Sequence, residues 1–164
     1  EEYKADLKKQ LEEAKAKAAA AQNENNVVEK VVENAEIELP APMVDMQCEQ
    51  MLDDYARRMQ SQGLPLEQYM QYTGMTVEKL KEQFRPQAER NLKTRLVLEE
   101  IVKAENIAVS EEAIDAEIEK MAAAYKIEPA KMKEYVGAEQ REELAMDLKI
   151  QEAVDFLVAE AKLQ

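Results

Sequence analysis

With 164 residues, 22 basic against 35 acidic side chains and no histidine, the chain carries a formal net charge of −13. That length allows one domain or at most two. The charge opposes phosphate backbones and anionic membranes, and the lack of histidine removes the commonest metal ligand and neutral-pH proton carrier.

Apolar bulk is thin, since 24 of the residues counted as hydrophobic are Ala and only 35 are Leu, Ile, Val or Phe. Three Gly and 35% charged residues complete a composition that predicts long solvated helices in an elongated, open all-α body. No run approaches the roughly 18 to 20 apolar residues of a membrane span. Cys48 is alone, so no intrachain disulfide can form, which favours a reducing compartment. A secretory leader is not visible, and a start at Glu1 rather than Met is expected of an excised piece.

In chain order, Leu7, Leu11, Ala14, Ala18, Ala21, Asn25, Val28, Val32 and Ala35 alternate steps of four and three, the rhythm of a helix laid along a partner. One helix over Tyr3–Ala35 follows. Leu39-Pro40-Ala41-Pro42 forces extended backbone and restarts a helix that runs to Gln62 and is closed by Gly63. A short helix over Leu66–Thr73 ends at Gly74, and Thr76 caps a long one reaching Glu105. Pro86 predicts a kink or a split within it. Ser110 opens a further helix to Tyr125, Pro129 a short one stopped by Gly137, and Ala138–Lys162 forms the last.

An internal repeat underlies this order. At an offset of 70, Val28, Val32, Ile37, Leu39, Val44, Asp45, Glu49, Met51 and Tyr55 fall on Leu98, Val102, Ile107, Val109, Ile114, Asp115, Glu119, Met121 and Tyr125. The copies span about 27–60 and 97–130. At an offset of 56, Leu92, Leu98, Ile101 and Ile107 fall on Leu148, Val154, Leu157 and Leu163, a weaker third copy. Helix-joint-helix units of this kind bury one face and leave others available.

Catalytic chemistry finds little support. Glu99-Glu100 and Glu142-Glu143 are adjacent and point to different sides of a helix. Gly at 63, 74 and 137 builds no phosphate loop, Ser61 and Ser110 lack a histidine base, and Asp53-Asp54 fits no calcium loop. No catalytic residue, cofactor or metal is expected. Cys48, at the repeat position of Ile118, reads as a small core hydrophobe, with a reactive thiol as the alternative, and Met51 and Met121 read as core. The informative residues are apolar. Met59, Leu64, Leu66, Tyr69, Met70, Tyr72 and Met75 crowd a short helix between two glycines, too many for one narrow face. They predict an exposed adhesive patch, with core packing as the ordinary alternative. Ile127, Met132, Tyr135 and Val136, beside Tyr125, form a comparable cluster at the other hairpin end.

The segment GLPLEQYMQYTGMTVEKLKEQFRPQAERNLKTRLVLEEIVKAENI (Gly63 to Ile107) resembles the C-terminal domain of bacterial trigger factor, as do IAVSEEAIDAEI (Ile107 to Ile118) and IELPAPMVDMQCEQML (Ile37 to Leu52). The resemblance covers essentially the whole chain and rests on the order of these elements. It implies an all-α body with two helical arms forming a cradle, a fold shared with periplasmic chaperones that carry parvulin modules. It also implies an ATP-independent, cytoplasmic module that binds unfolded or nascent polypeptide and no nucleic acid or membrane. Ribosome docking and prolyl isomerisation would belong to domains absent from this chain, and the whole chain would be one client-binding domain. A structural coiled-coil scaffold with one fixed helical partner is the alternative, and the Leu7–Ala35 heptads leave self-association open.

Overall fold

The computed structural model describes residues 2–161, with side chains described from Gln10 onward. Among the described residues there are seven helices and no strand: α1 (Glu2–Asn34), α2 (Ala41–Ser61), α3 (Leu66–Thr73), α4 (Val77–Ala104), α5 (Glu111–Tyr125), α6 (Pro129–Tyr135) and α7 (Ala138–Glu160). The expected order holds, and the helix ends differ by a residue or so. The expected end at Lys162 and the repeat match at Leu163 lie outside the described residues.

Local chemistry accounts for the boundaries. The Thr76 hydroxyl accepts from the Lys79 N–H at 3.3 Å, and the Ser110 hydroxyl accepts from the Ala113 N–H at 3.3 Å, so α4 and α5 are capped by the residues whose type suggested it. Glu78 and Glu112 sit within these first turns. Hydrogen bonds from their own backbone N–H, and then from the capping hydroxyl, hold both carboxyls below their ordinary range. Three helices end alike. Gly63, Asn106 and Lys126 take left-handed backbone at φ 81°, 53° and 56°. The N–H groups of Leu64, Ile107 and Ile127 reach back to the carbonyls of Met59, Val102 and Ala122 at 3.1, 2.9 and 2.9 Å. In each closure the donating residue is apolar and the accepting residue is buried.

Pro86 does not split α4. A proline there removes one backbone bond. Buried Leu80 on one side and Ala88 and Leu92 on the other hold both halves in one packed helix.

The chain packs as two units, residues 35–96 and the flanking stretches up to Asn34 and from Val97. In the first, α2 and α4 bury Val44, Cys48, Ala88 and Leu92, with Leu39, Met43, Met51 and Leu96 packed against them. In the second, α5, α6 and α7 bury Ile114, Ile118, Ala122 and Met132, with Val109, Met121, Leu144 and Leu148 alongside, and α1 packs on α7. The two cores are copies. Val44, Cys48, Leu39 and Met51 match Ile114, Ile118, Val109 and Met121 at an offset of 70, while Ala88 and Leu92 match Leu144 and Leu148 at 56. Even the surface link repeats: Arg85 pairs with Asp45, and Arg141, 56 residues on, pairs with Asp115, 70 residues on from Asp45. Each core is thus a long-helix hairpin interrupted by a short helix, α3 in one unit and α6 in the other.

Candidate binding surfaces

The short helices carry the candidate residues. At the tip of the first unit, Gly63 turns the chain out of α2, Pro65 sets the extended backbone before α3, and Gly74 at φ 66° ends it. Tyr72 points to solvent with 76% of its surface accessible, and its hydroxyl accepts from the Gln68 amide at 3.2 Å. Leu64, Leu66, Tyr69, Met70 and Met75 are half-buried. Tyr69 sets its ring edge-on to Tyr55, centroids 6.2 Å apart, and Tyr55 in turn meets Phe84 edge-on at 5.6 Å. Burial, and then the hydrogen bond with Tyr69, raises the Tyr55 phenol above its ordinary pKa.

At the tip of the second unit, Tyr135 is 74% accessible, Ile127 is exposed and Val136 is half-buried. An ion network ties the helices of this unit: Asp115 accepts from Lys133 of α6 at 2.9 Å and from Arg141 of α7 at 2.6 Å, and Arg141 also reaches Glu111 at 2.8 Å. Lys133 first, then Arg141, holds the Asp115 carboxyl below its ordinary range.

Two of the expected surface residues are not on a surface. Met59 and Met132 are each only 7% accessible. Met59 lies one turn beyond Tyr55, the residue of α2 against which α3 sets Tyr69. Met132 is the one side chain that α6 drives into the core of its unit. Sequence reasoning undervalued Tyr125, which is 69% accessible. Its repeat partner Tyr55 is packed among rings, but α5 stops at Tyr125 whereas α2 continues to Ser61, so no later turn or short helix covers it. Met46 was missed as well. The spacing of Val44, Cys48 and Leu52 already put it on the opposite, exposed face of α2.

Chemically these surfaces offer contact rather than reaction. An open depression between α2 and α4 is lined by charged residues whose cations are already committed, Lys81 to Glu49 at 2.8 Å and Arg85 to Asp45. Cys48, itself buried, also lines it. Among the described residues no group of three or more His, Cys, Asp or Glu is placed to hold a metal ion, and no helix is long and apolar enough to cross a membrane.

The architecture defines a class: an all-helical body that leaves apolar side chains at the tips of repeated hairpins. Residues 1–159 match the family described as the C-terminus of bacterial trigger factor protein, and the chain belongs to that family. It is 51% identical over 162 residues to trigger factor of Lachnoclostridium phytofermentans, covering 99% of this chain and 38% of that protein. Trigger factor of Agathobacter rectalis is 43% identical, with 98% and 36% covered, and that of Bacillus subtilis 44% identical, with 92% and 35% covered. The chain therefore spans less than two fifths of the length of these relatives. A solved structure from work on trigger factor domains of Thermotoga maritima shares the fold at a TM-score of 0.64 and 23% identity, over 87% of this chain and 83% of that one. A second, from work on promiscuous substrate recognition by the trigger factor chaperone, aligns at 0.56 and 24%, over 90% and 36%.

Proposed function

We propose that this chain is an ATP-independent chaperone domain, one client-binding body over 1–164, that holds apolar segments of unfolded or nascent polypeptide. The observation that carries the reading is the outward placement of Tyr72, Tyr125 and Tyr135 at the two tips, each more than two-thirds accessible. Aromatic side chains supply large contact area at low entropic cost. Beside the half-buried Leu64, Leu66, Met70, Met75 and Val136 they offer adaptable patches that suit many sequences. Met59 and Met132 are covered and so make no client contact in this state, and Tyr69 is assigned to holding α3. Solvated carboxylates around the patches keep a loaded complex soluble. The domain works in the cytoplasm and without nucleotide. Prolyl isomerisation and ribosome contact are assigned to no residue of this chain.

The test is aggregation of a chemically unfolded protein diluted into buffer without ATP. Equimolar to severalfold excess chain is expected to suppress it, and Tyr72→Ser, Tyr125→Ser and Tyr135→Ser combined are expected to weaken suppression several-fold with helicity unchanged. No suppression by the parent chain overturns the reading.

A second reading, self-association through α1, is favoured by one observation: every described side chain from Gln10 to Asn23 is exposed, including Leu11 at 56%. A concentration-dependent dimer in sedimentation that Leu11→Glu abolishes supports it. A monomer at all concentrations rejects it.

A further inference from the structure

The two tips are repeats of one design, and the differences between their short helices are informative. α6 sinks Met132 into its core and ties Lys133 to Asp115 at 2.9 Å. α3 has no buried residue, and among the described residues none makes an ion pair with it. It is held on its unit through half-buried side chains, the edge of the Tyr69 ring on Tyr55 and the hydrogen bond between these two tyrosines. Eight residues are far too few for a helix to stand alone in water. Left-handed glycines flank α3, Gly63 three residues before its first residue and Gly74 at its C-cap, with open space where a Cβ would stand. α6 is bounded by Lys126 and by Gly137, the latter with extended backbone.

Tyr69 of α3 rests on Tyr55, and the surroundings of Tyr55 are apolar. Tyr55 and Phe84 meet edge to face, and Met59, one helical turn from Tyr55, is closed off from solvent. We infer that α3 is a hinged flap which swings on Gly63 and Gly74 to uncover a floor of Tyr55, Met59 and Phe84 for an apolar or aromatic segment of an unfolded chain. This rests on the binding reading above for its occupant and on the hinges and weak anchoring for its motion. When the flap opens, the Tyr69–Tyr55 edge contact is exchanged for a contact with the visitor's side chain, and the floor is resealed. A closed resting state keeps the most adhesive surface of this unit from self-association while no visitor is bound.

Met59 and Met132 are equally buried, at 7%, so a static molecule oxidises both at similar rates. The flap predicts that dilute peroxide oxidises Met59 at least about tenfold faster than Met132, and that amides Tyr69–Thr73 exchange with deuterium correspondingly faster than Met132–Val136. Tyr69→Ala is expected to speed both and to tighten binding to reduced, carboxymethylated lactalbumin by roughly two- to tenfold, the population shift from losing the ring contact and the hydrogen bond to Tyr55. Equal oxidation of the two methionines overturns the flap, as does weaker binding by Tyr69→Ala with helicity retained. If that variant fails to fold, the oxidation and exchange contrast in the unaltered chain decides. Failure of the unaltered chain to bind the lactalbumin probe counts against the binding reading, and the flap then stands or falls on the oxidation contrast alone.

Discussion

Ile118 has no accessible surface and sits among Ile114, Ala122 and Met132, so truncating it leaves a hole that rigid helices close poorly. Ile118→Ala is expected to destabilise its unit by about 2 to 5 kcal/mol, read from urea unfolding. Asp115 makes a different prediction. Its pKa is held below the ordinary Asp range by Lys133 and Arg141. The stabilisation from these pairs is therefore complete above roughly pH 4 and is lost as pH falls through the lowered value. The urea midpoint of the parent chain should drop more steeply between pH 7 and pH 3 than that of Asp115→Asn, and parallel curves contradict the assignment. Residue chemistry was legible wherever it was local. Ser110 and Thr76 cap because a hydroxyl next to free N–H groups has little else to do, and Cys48 is core because Val44, Met51 and Leu52, three or four residues away on its helix, are apolar. Met59 and Met132 were misplaced because crowding along the sequence does not reveal which face the next element covers.

Among the elements, the joints were read well and their closures only in part. Gly63 and Gly74 announced their turns, whereas Asn106 and Lys126 reach the same left-handed backbone without glycine. At Lys126 that conformation is strained for a residue carrying a Cβ, so Lys126→Gly is expected to raise the stability of its unit by roughly 0.5 to 1 kcal/mol, measured by the shift in urea midpoint. No gain means the Lys126 stem contributes packing that offsets the strain. Pro86 shows the opposite limit. Its cost was legible, but the apolar anchors on both sides that keep α4 whole are tertiary. The heptad spacing of α1 predicted a covered seam from Leu7 to Ala35. Leu7 lies outside the described side chains, the seam from Leu11 to Ala21 is exposed, and only the later part, around Val28 and Val32, is covered. Periodicity reports a face suited to a partner and does not say whether the same chain supplies it.

For the molecule as a whole, the repeat was the most productive signal, because matching positions build matching cores and matching ion pairs in the two units. Thin apolar content was nearly as informative. Among the described residues sixteen form the buried apolar set, none that is polar or charged is buried, and several large side chains stay outside. Which ones stay outside depended on where α5 ends and on what each short helix covers, neither of which composition can express. The central claim is that unfolded chains are held at the hairpin tips. It is tested most directly by placing a photo-reactive phenylalanine analogue in turn at Tyr72, Tyr135, Gln87 and Glu142, all exposed, and irradiating with an unfolded client. Crosslinking several-fold stronger from Tyr72 and Tyr135, and lost when unlabelled client competes, is the predicted result, whereas equal yields from all four positions would contradict it.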